Sequence, residues 1–321
     1  MTKPFIFIFP GQGSQKVGMG HELYKNHRVA KDVFDEIDET LGMNLSKICF
    51  EGPDSELTLT SNTQPALMAV SIAIVKIIEH ELQKKISDLA NIVLGHSLGE
   101  YSALCSIGSI SLSSAAKLLR ERGLAMQNAI SNLETMMRAV IGMDLGVIED
   151  TIKQTKLNNG EICEVANDNS PGQAILSGTK IGVEIISSEL KKKGAKRLID
   201  LNVSAPFHCS LMKPASQEFK KHIIQTQFSE LRSTIISNVN ASLENNLKKI
   251  KGLLVEQIYS RVRWRESIIK AENSNPKSII EIGCGKVLTG INKRIGINCD
   301  NINISNTSDF KIFIEHYAGI L

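Results

Sequence analysis

The segment that most restricts the fold is the pentapeptide Gly-His-Ser-Leu-Gly at residues 95–99, which follows an apolar run and precedes a helical pattern. Glycines on either side of Ser97 allow a very tight turn, because they carry no Cβ atoms that would collide. Such a turn holds the serine in strained backbone angles and lifts its Oγ clear of the sheet. This order of strand, sharp turn and helix predicts an α/β fold with Ser97 exposed at the end of a strand.

The rest of the chain predicts two kinds of sheet. Apolar runs at residues 5–9 and 92–95 alternate with helical patterns at 31–40 and 65–84, which is typical of a mostly parallel sheet covered on both faces. The middle of the chain instead shows the order strand, helix, strand, strand, helix, strand, which is the ferredoxin-like arrangement. Its elements are predicted at residues 138–143, 146–156, 162–167, 173–176, 182–193 and 197–201.

The predicted fold class is therefore α/β, with a large α/β-hydrolase-like domain built on a parallel sheet and an inserted ferredoxin-like (βαββαβ) small domain. About seventy residues is the usual size for such an insert. We expect a discontinuous large catalytic domain over residues 1–132 and 204–321, with the small domain at residues 133–203.

Composition and charge exclude several classes of protein. The 321 residues are 42% hydrophobic and 22% charged, with a net charge of +3, which is ordinary for a globular domain and argues against nucleic-acid binding. The six cysteines form no Cys-x-x-Cys pair, so we expect reduced thiols and no metal site. No apolar run reaches membrane length, and the N-terminus lacks a signal-peptide core. The sequence therefore predicts a cytoplasmic protein without a membrane partner.

A reactive serine needs a base, and His208 is the strongest candidate among the seven histidines. It lies in a proline-marked loop just after a predicted strand, where open α/β sheets place their sites. His96 adjoins Ser97 too closely for a direct contact, and the other histidines lie among polar residues. The nearest preceding acid, Asp200, falls inside the predicted strand. An esterase-type triad acid is therefore not evident, which argues against an ordinary hydrolase.

Taken together, these segments resemble the malonyl-CoA:acyl carrier protein transacylases of bacterial-type fatty acid synthesis, and the resemblance covers nearly the whole chain. The matching segments are residues 9–15 (Phe-Pro-Gly-Gln-Gly-Ser-Gln), 95–101 (Gly-His-Ser-Leu-Gly-Glu-Tyr), Arg122-Gly123 with Met126-Gln127, 167–173 (Asn-Asp-Asn-Ser-Pro-Gly-Gln), 205–208 (Ala-Pro-Phe-His), and Gln257 ahead of Trp264. The run Thr-Met-Met-Arg-Ala at residues 135–139 departs from the Gly and Ala usual in the family, and Cys284 stands where proline is common.

The resemblance implies the catalytic roles. Ser97 is the nucleophile that malonyl-CoA acylates, and His208 is its general base and acid. The backbone N–H groups of Gln12 and Leu98 form the oxyanion hole. The backbone carbonyl of Gln257 orients the imidazole in place of a carboxylate, which accounts for the absent triad acid.

The resemblance also implies that Arg122 pairs with the malonyl carboxylate. A planar guanidinium can hold a carboxylate with two parallel hydrogen bonds, so this residue type suits the task. Without the resemblance, Arg122 in the run Leu-Arg-Glu-Arg is typical of a solvated helix residue, and Arg120 is an equal candidate.

The function implied is transfer of a malonyl group from malonyl-CoA to the phosphopantetheine thiol of acyl carrier protein, through a malonyl-serine intermediate. The resemblance implies no cofactor, since the coenzyme A thioester is a substrate, and we expect a monomer with malonyl-CoA and acyl carrier protein as its partners. Two alternatives remain. A serine hydrolase such as a thioesterase would use the same Ser97 and His208 with water, and a catalytically idle module would only bind the carrier protein. The joint presence of serine, histidine and Arg122 argues against the idle module.

Overall fold

The computed structural model describes residues 4–130 and 133–319. The strands are β1 (Phe5–Phe9), β2 (Ala90–Gly95), β3 (Thr135–Ile141), β4 (Cys163–Ser170), β5 (Gln173–Thr179), β6 (Arg197–Asp200), β7 (Thr234–Ile236), β8 (Leu243–Glu244), β9 (Ser278–Ile282) and β10 (Asp300–Ile304). The helices are α1 (His21–Asn26), α2 (Arg28–Leu41), α3 (Leu45–Glu51), α4 (Asp54–Thr58), α5 (Thr60–Leu82), α6 (Ile86–Leu89), α7 (Gly99–Ser106), α8 (Leu112–Asn128), α9 (Leu145–Gln154), α10 (Lys180–Lys192), α11 (Lys213–Gln225), α12 (Leu247–Glu256), α13 (Trp264–Glu272), α14 (Val287–Ile295) and α15 (Thr307–Tyr317), with a 3₁₀ turn at Ser210–Met212.

The larger sheet has the order β10-β9-β1-β2-β7-β8 within the described residues. Its neighbours from β10 to β7 pair in parallel, and only β8 at the edge runs antiparallel. All five residues of β1 are buried, which explains why this segment reads as a continuous apolar run. The register sets Phe9 beside Gly95. The loops that leave β1 and β2 therefore begin side by side at the carboxyl edge of the sheet, where open α/β folds place their sites.

The second sheet is antiparallel, with the order β4-β5-β3-β6 in the part of the chain that the structure describes. The helices α9 and α10 connect its strands in the predicted βαββαβ order. The predicted α/β fold class, with its parallel sheet and its ferredoxin-like unit, is confirmed. The domain boundaries at residues 133 and 203 stay a prediction.

Strand bounds in the small sheet differ from those predicted. β3 begins at Thr135 rather than at residue 138, and β5 continues to Thr179 because the two strands pair along their full length, from Thr135 with Thr179 to Ile141 with Gln173. β3 then ends before Gly142, whose φ of 80° leaves the extended region. Backbone pairing, rather than apolar periodicity, decides where these strands stop.

Backbone hydrogen bonds join β4 of the small sheet to the segment between α12 and α13. The Asp168 N–H donates to the Val262 carbonyl at 3.0 Å, and the Val262 N–H donates to the Ala166 carbonyl at 2.8 Å. An ion pair between Asp168 and Arg265 at 2.9 Å strengthens this junction. The small sheet is thus connected directly to the segment that follows α12.

Helix α5 forms the centre of the core and contacts α8 at backbone distance. Nearly all its residues are buried, so it is apolar around most of its circumference, as expected of a core helix. A Cβ atom on Gly123 of α8 would lie 2.5 Å from Ser61 Cα and 2.8 Å from the Thr60 carbonyl oxygen. The glycine permits the two helices to touch beside Arg122, which is buried.

We expect Gly123→Ala to destabilise the fold by about 1–3 kcal/mol, because the added methyl group forces two helix backbones apart. Gly252→Ala is the matched control, since Gly252 lies on the surface of α12 with no atom within 4 Å of an added Cβ. That change should stabilise the protein by about 0.5–1 kcal/mol. The free energy of unfolding in chemical denaturant measures both, and equal effects of the two substitutions would contradict close packing at Gly123.

Candidate active site

The turn between β2 and α7 has the geometry that its glycines predict. Ser97 has a φ of 54°, in the left-handed region that is unfavourable for residues other than glycine. A Cβ atom on Gly95 would overlap the Gly99 carbonyl carbon, and one on Gly99 would overlap the Phe9 carbonyl oxygen. The turn is therefore pressed against itself and against β1, and it presents Ser97 at the start of α7.

Asn238, which follows β7, holds this strained turn in place. Its side-chain Oδ1 accepts the Ser97 N–H at 2.7 Å, and its Nδ2 donates to the Gly95 carbonyl at 2.7 Å. Asn238 is completely buried, so both hydrogen bonds are shielded from water and offset the strain of the turn.

Ser97, His208 and Gln257 form a connected chain of hydrogen bonds. The distance from Ser97 Oγ to His208 Nε2 is 2.8 Å, and His208 Nδ1 lies 2.8 Å from the backbone carbonyl oxygen of Gln257. A carbonyl oxygen only accepts, so Nδ1 carries the proton and Nε2 is left to accept from the serine hydroxyl. A carbonyl thus orients the imidazole where a triad would use a carboxylate. Asp200 instead pairs with Arg138 on the small sheet.

Burial keeps His208 neutral. The side chain is 5% exposed, and its desolvation, followed by the nearby charge of Arg122, lowers the pKa of the imidazole to about 3. A neutral imidazole can accept a proton, so the residue is a competent base over the whole neutral range. His96 does not contact Ser97 Oγ, since its Nε2 lies 3.0 Å from Asn169 Oδ1.

The guanidinium of Arg122 lies beside the serine rather than in solvent. The residue is 1% exposed, and its Nη2 donates to Ser97 Oγ at 3.1 Å and to Gln257 Oε1 at 2.8 Å. Its Nη1 donates to Gln64 Oε1 at 2.8 Å. Within the described part of the chain, its Nε–H has no hydrogen-bond partner. Arg120 points elsewhere and donates to Asn62.

A cavity of about 340 Å³ opens onto Ser97 between the two sheets. Gln12 and Leu98 both line it beside the serine, as their expected oxyanion role requires. Met137 also lines it, and it belongs to the segment at residues 135–139 that departs from the usual family sequence. The other lining residues are Gly11, Gly13, Gln15, Gln64, His96, Arg122, Met126, Asn167, Asn169, Gln173, Ile175, Leu201, Asn202, Val203, Phe207, His208, Val287, Leu288 and Ile291. The cavity is mostly apolar with a few convergent polar groups, which is typical of a site for a small acyl group.

Comparison with known proteins decides the family. Residues 6–303 match the family model of the acyl transferase domain. The malonyl CoA-acyl carrier protein transacylase of Bacillus subtilis (strain 168) is 43% identical over 310 residues, which cover 96% of each chain. The chain belongs to the malonyl CoA-acyl carrier protein transacylases.

Solved structures agree with this assignment of the chain to the transacylases. The acyl-carrier-protein-S-malonyltransferase from Bartonella henselae has a TM-score of 0.94 at 41% identity, covering 98% of this chain and 99% of that one. A malonyl-transacylase solved in complex with its type II PKS acyl-carrier protein has a TM-score of 0.90 at 35% identity, with coverage of 98% and 99%. The family resemblance found in the sequence is confirmed.

This transacylase has a second cavity, of about 460 Å³, on the other side of His208. Glu149, Lys153, Glu164 and Arg261 line it, and Ser97 does not. Arg261 pairs there with Glu149 at 2.6 Å, so its charge is already balanced. The reactive groups of the transacylase converge in the cavity that contains Ser97.

Neither a metal centre nor a membrane span is found in residues 4–130 and 133–319 of the transacylase. Histidine, cysteine and acidic side chains form no group of three or more that could hold a metal ion. No helix in that part of the chain is both long and apolar enough to cross a bilayer.

The sequence does not predict the roles of three residues of the transacylase site: Gln64, Glu100 and Asn238. Gln64 and Asn238 bond to Arg122 and Ser97 across long sequence separations, which no local pattern reveals. Glu100 is part of a matching motif, yet nothing in that motif shows that its side chain is buried beneath the serine. The one available signal is a polar residue shortly after a strand, which applies to Asn238, two residues beyond the end of β7.

We expect the reactivity of Ser97 to stay constant from about pH 5 to about pH 8, because the folded imidazole has a pKa of about 3 and is neutral throughout this range. The rate of modification by a fluorophosphonate measures this reactivity. Circular dichroism at each pH is the control for an intact fold. Half-maximal reactivity near the ordinary histidine pKa of about 6.5 would contradict a buried, neutral base.

Proposed function

We propose that this chain transfers the malonyl group of malonyl-CoA to the phosphopantetheine thiol of acyl carrier protein; its relatives are named malonyl CoA-acyl carrier protein transacylases. The observation that carries the proposal is the buried Arg122 guanidinium, 3.1 Å from Ser97 Oγ. Its hydrogen-bond partners Gln64, Gln257 and Ser97 are neutral. A buried cation beside a nucleophile, bonded to neutral groups, suits a substrate that brings its own carboxylate.

The first half-reaction acylates the enzyme. Ser97 Oγ attacks the thioester carbonyl carbon of malonyl-CoA while His208 Nε2 takes the hydroxyl proton. The backbone N–H groups of Gln12 and Leu98 stabilise the oxyanion that forms. The carbon–sulfur bond then breaks, and His208 returns the proton to the sulfur of coenzyme A. A malonyl ester on Ser97 and free coenzyme A are the products.

The second half-reaction runs the same chemistry in the other direction. The carrier-protein thiol attacks the ester carbonyl and gives its proton to His208, which passes it to Ser97 Oγ as the ester bond breaks. The Gln257 carbonyl keeps the imidazole oriented through both steps. The imidazolium exists only transiently, because burial and Arg122 oppose its charge.

The hydrolase alternative is less well supported. A thioesterase would need water in a site where Arg122 and Gln64 already organise the space beside Ser97 for an anion. The idle module is opposed by the 2.8 Å contact between Ser97 Oγ and His208 Nε2, which is the geometry of an activated nucleophile.

We further propose that the enzyme needs no cofactor, as acyltransferases of this kind generally do not. A cytoplasmic location, a monomeric state and a small domain bounded at residues 133 and 203 complete the proposal. The cysteine pattern and the absence of a membrane-length apolar run support the location, and the order of predicted elements supports the domain bounds.

Labelled malonyl-CoA alone should leave one covalent label on the peptide containing Ser97, because the first half-reaction needs no acceptor. Mass spectrometry of the digested protein locates the label. Addition of acyl carrier protein should then remove it to the carrier thiol. Ser97→Ala should neither label at this peptide nor turn over, and labelling that persists in this variant would assign the nucleophile elsewhere. Label lost to water as fast as to the carrier would favour a hydrolase.

Arg122→Ala should lower kcat/KM for malonyl-CoA by at least about thirtyfold, since removing one member of a desolvated ion pair costs about 2–5 kcal/mol. Acetyl-CoA has no carboxylate, so its kcat/KM should change little. Acyl transfer assays with both substrates measure the ratio of kcat/KM for malonyl-CoA to that for acetyl-CoA. Arg120→Ala, whose side chain bonds to Asn62, is the control and should keep the malonyl preference. An equal loss with both substrates in Arg122→Ala would make Arg122 structural.

A further inference from the structure

A buried carboxyl group that the mechanism above does not use lies directly beneath the nucleophile. Glu100 is the second residue of α7, and its side chain is 2% exposed. Oε1 accepts the backbone N–H of Asn238 at 2.5 Å, and Oε2 accepts from Nε2 of Gln257. Glu100 therefore contacts both the residue that holds the serine turn and the residue that orients His208.

The neighbours of Gln257 require that Glu100 accept hydrogen bonds in this structure. Gln257 Nε2 also donates to the Ser97 carbonyl at 3.0 Å, and Gln257 Oε1 accepts from Arg122 at 2.8 Å. A carbonyl cannot donate and a guanidinium cannot accept, so the orientation of the amide is fixed. Its NH₂ group faces Glu100, and the other Glu100 oxygen faces a backbone N–H. Both oxygens therefore accept hydrogen bonds in this structure, an arrangement that favours the ionised form.

Glu100 and Arg122 are coupled through Gln257. The direct partners of the guanidinium are neutral, while the charge of Glu100 acts on it across the Gln257 amide. Tyr101, from the same helix as Glu100, is the other titratable group facing both, and burial raises its pKa beyond the range in which it ionises. The groups that face Glu100 from the segments after β7 and α12 are Ser237, Asn238 and Gln257. Arg122 is faced by Gln64 from α5 and by the titratable His208, which burial keeps neutral. All of these groups are neutral.

We infer that the Glu100 carboxylate, where it is ionised, is the counter-charge of Arg122 in the free enzyme, and that it takes up a proton when the malonyl carboxylate pairs with Arg122. The inference rests on the proposed function, because it takes malonyl as the substrate. Without uptake, two carboxylates would share one buried cation, which is unfavourable at low dielectric. The proton comes from solvent and forms the O–H bond of the acid, and the Ser237 hydroxyl beside Glu100 can accept that O–H. Glu100 is a positioning residue that acts through Arg122.

The exchange belongs to mildly alkaline pH, because Glu100 must be ionised in the free enzyme before it can take up a proton. Burial raises the pKa of the Glu100 carboxyl to about 8, against the opposing effects of Asn238, Gln257 and Arg122. A bound malonyl carboxylate partly offsets the positive charge of Arg122, so the pKa of Glu100 rises further. Below the pKa of free Glu100 the cation is available to malonyl, and above it the ionised Glu100 competes. The preference for malonyl over acetyl should therefore fall as pH rises.

The first test is the ratio of kcat/KM for malonyl-CoA to that for acetyl-CoA, measured on one enzyme batch from about pH 6 to about pH 9. His208 and the coenzyme A phosphates serve both substrates, so their titrations cancel in the ratio, and the malonyl carboxylate stays ionised throughout. With a free-enzyme pKa of about 8, the ratio should fall about tenfold between pH 7 and pH 9. A change of less than about twofold would overturn the inference.

The matched variants are Glu100→Gln and Glu79→Gln. The first removes the titration, so its ratio should stay high and independent of pH. The second removes a buried carboxylate at the far end of α5 that pairs with Lys76 and Lys85, and it should keep the wild-type slope. A wild-type slope in Glu100→Gln would place the titration in another residue and sink the inference.

A binding measurement tests proton uptake directly, even if Glu100→Gln does not fold. Ser97→Ala titrated with malonyl-CoA near pH 8.5, by calorimetry in two buffers of different ionisation heat, should take up a substantial fraction of a proton per malonyl-CoA bound. Acetyl-CoA should cause no such uptake, and equal uptake for both ligands would overturn the inference. If wild-type enzyme transfers malonyl at no pH, the proposed function fails as well. If malonyl is transferred but the malonyl-to-acetyl ratio of kcat/KM does not depend on pH, only the inference about Glu100 is refuted.

Discussion

The close approach of three backbone segments at the end of β2 is the constraint on which the site depends. Gly95 and Gly99 have no room for side chains, and Gly99 is pressed against the carbonyl of Phe9. This contact is possible only because β1 and β2 are parallel neighbours in register at Phe9 and Gly95. It places the Gln12 loop beside Ser97 without any side chain acting as a spacer.

The second requirement is that the charge of the buried Arg122 be balanced. Arg122 is buried at 1% exposure, and an unbalanced buried guanidinium would cost several kcal/mol. Its neutral partners hold its position, and the carboxyl group of Glu100, on the far side of the Gln257 amide, supplies opposite charge when it is ionised. The same amide that separates these charges, Gln257, presents its backbone carbonyl to His208. Substrate recognition and orientation of the base are therefore joined in a single residue.

The sequence predicts the local parts of this arrangement well. The glycine spacing predicts the turn at Ser97, and the apolar run of β1 predicts a buried strand, because both properties depend on neighbouring residues. The contact of Asn238 with Ser97 could not be predicted, since it depends on β7 lying beside β2. The ends of β3 and β5 also escaped prediction, because pairing between strands extends them through polar residues such as Ser177. The choice of Arg122 over Arg120 depends on tertiary contacts with Ser97 and Gln257, which sequence spacing does not express.

The separation of the site along the chain has a consequence for biosynthesis. Ser97 leaves the ribosome 111 residues ahead of His208 and 141 residues ahead of Asn238. At translation rates of about 5–20 residues per second, on the order of ten seconds pass before both are available. During that interval the nascent serine has neither its base nor the amide that stabilises its turn. The protein thus becomes reactive only when most of the chain has been made, so an unfinished polypeptide does not consume coenzyme A thioesters.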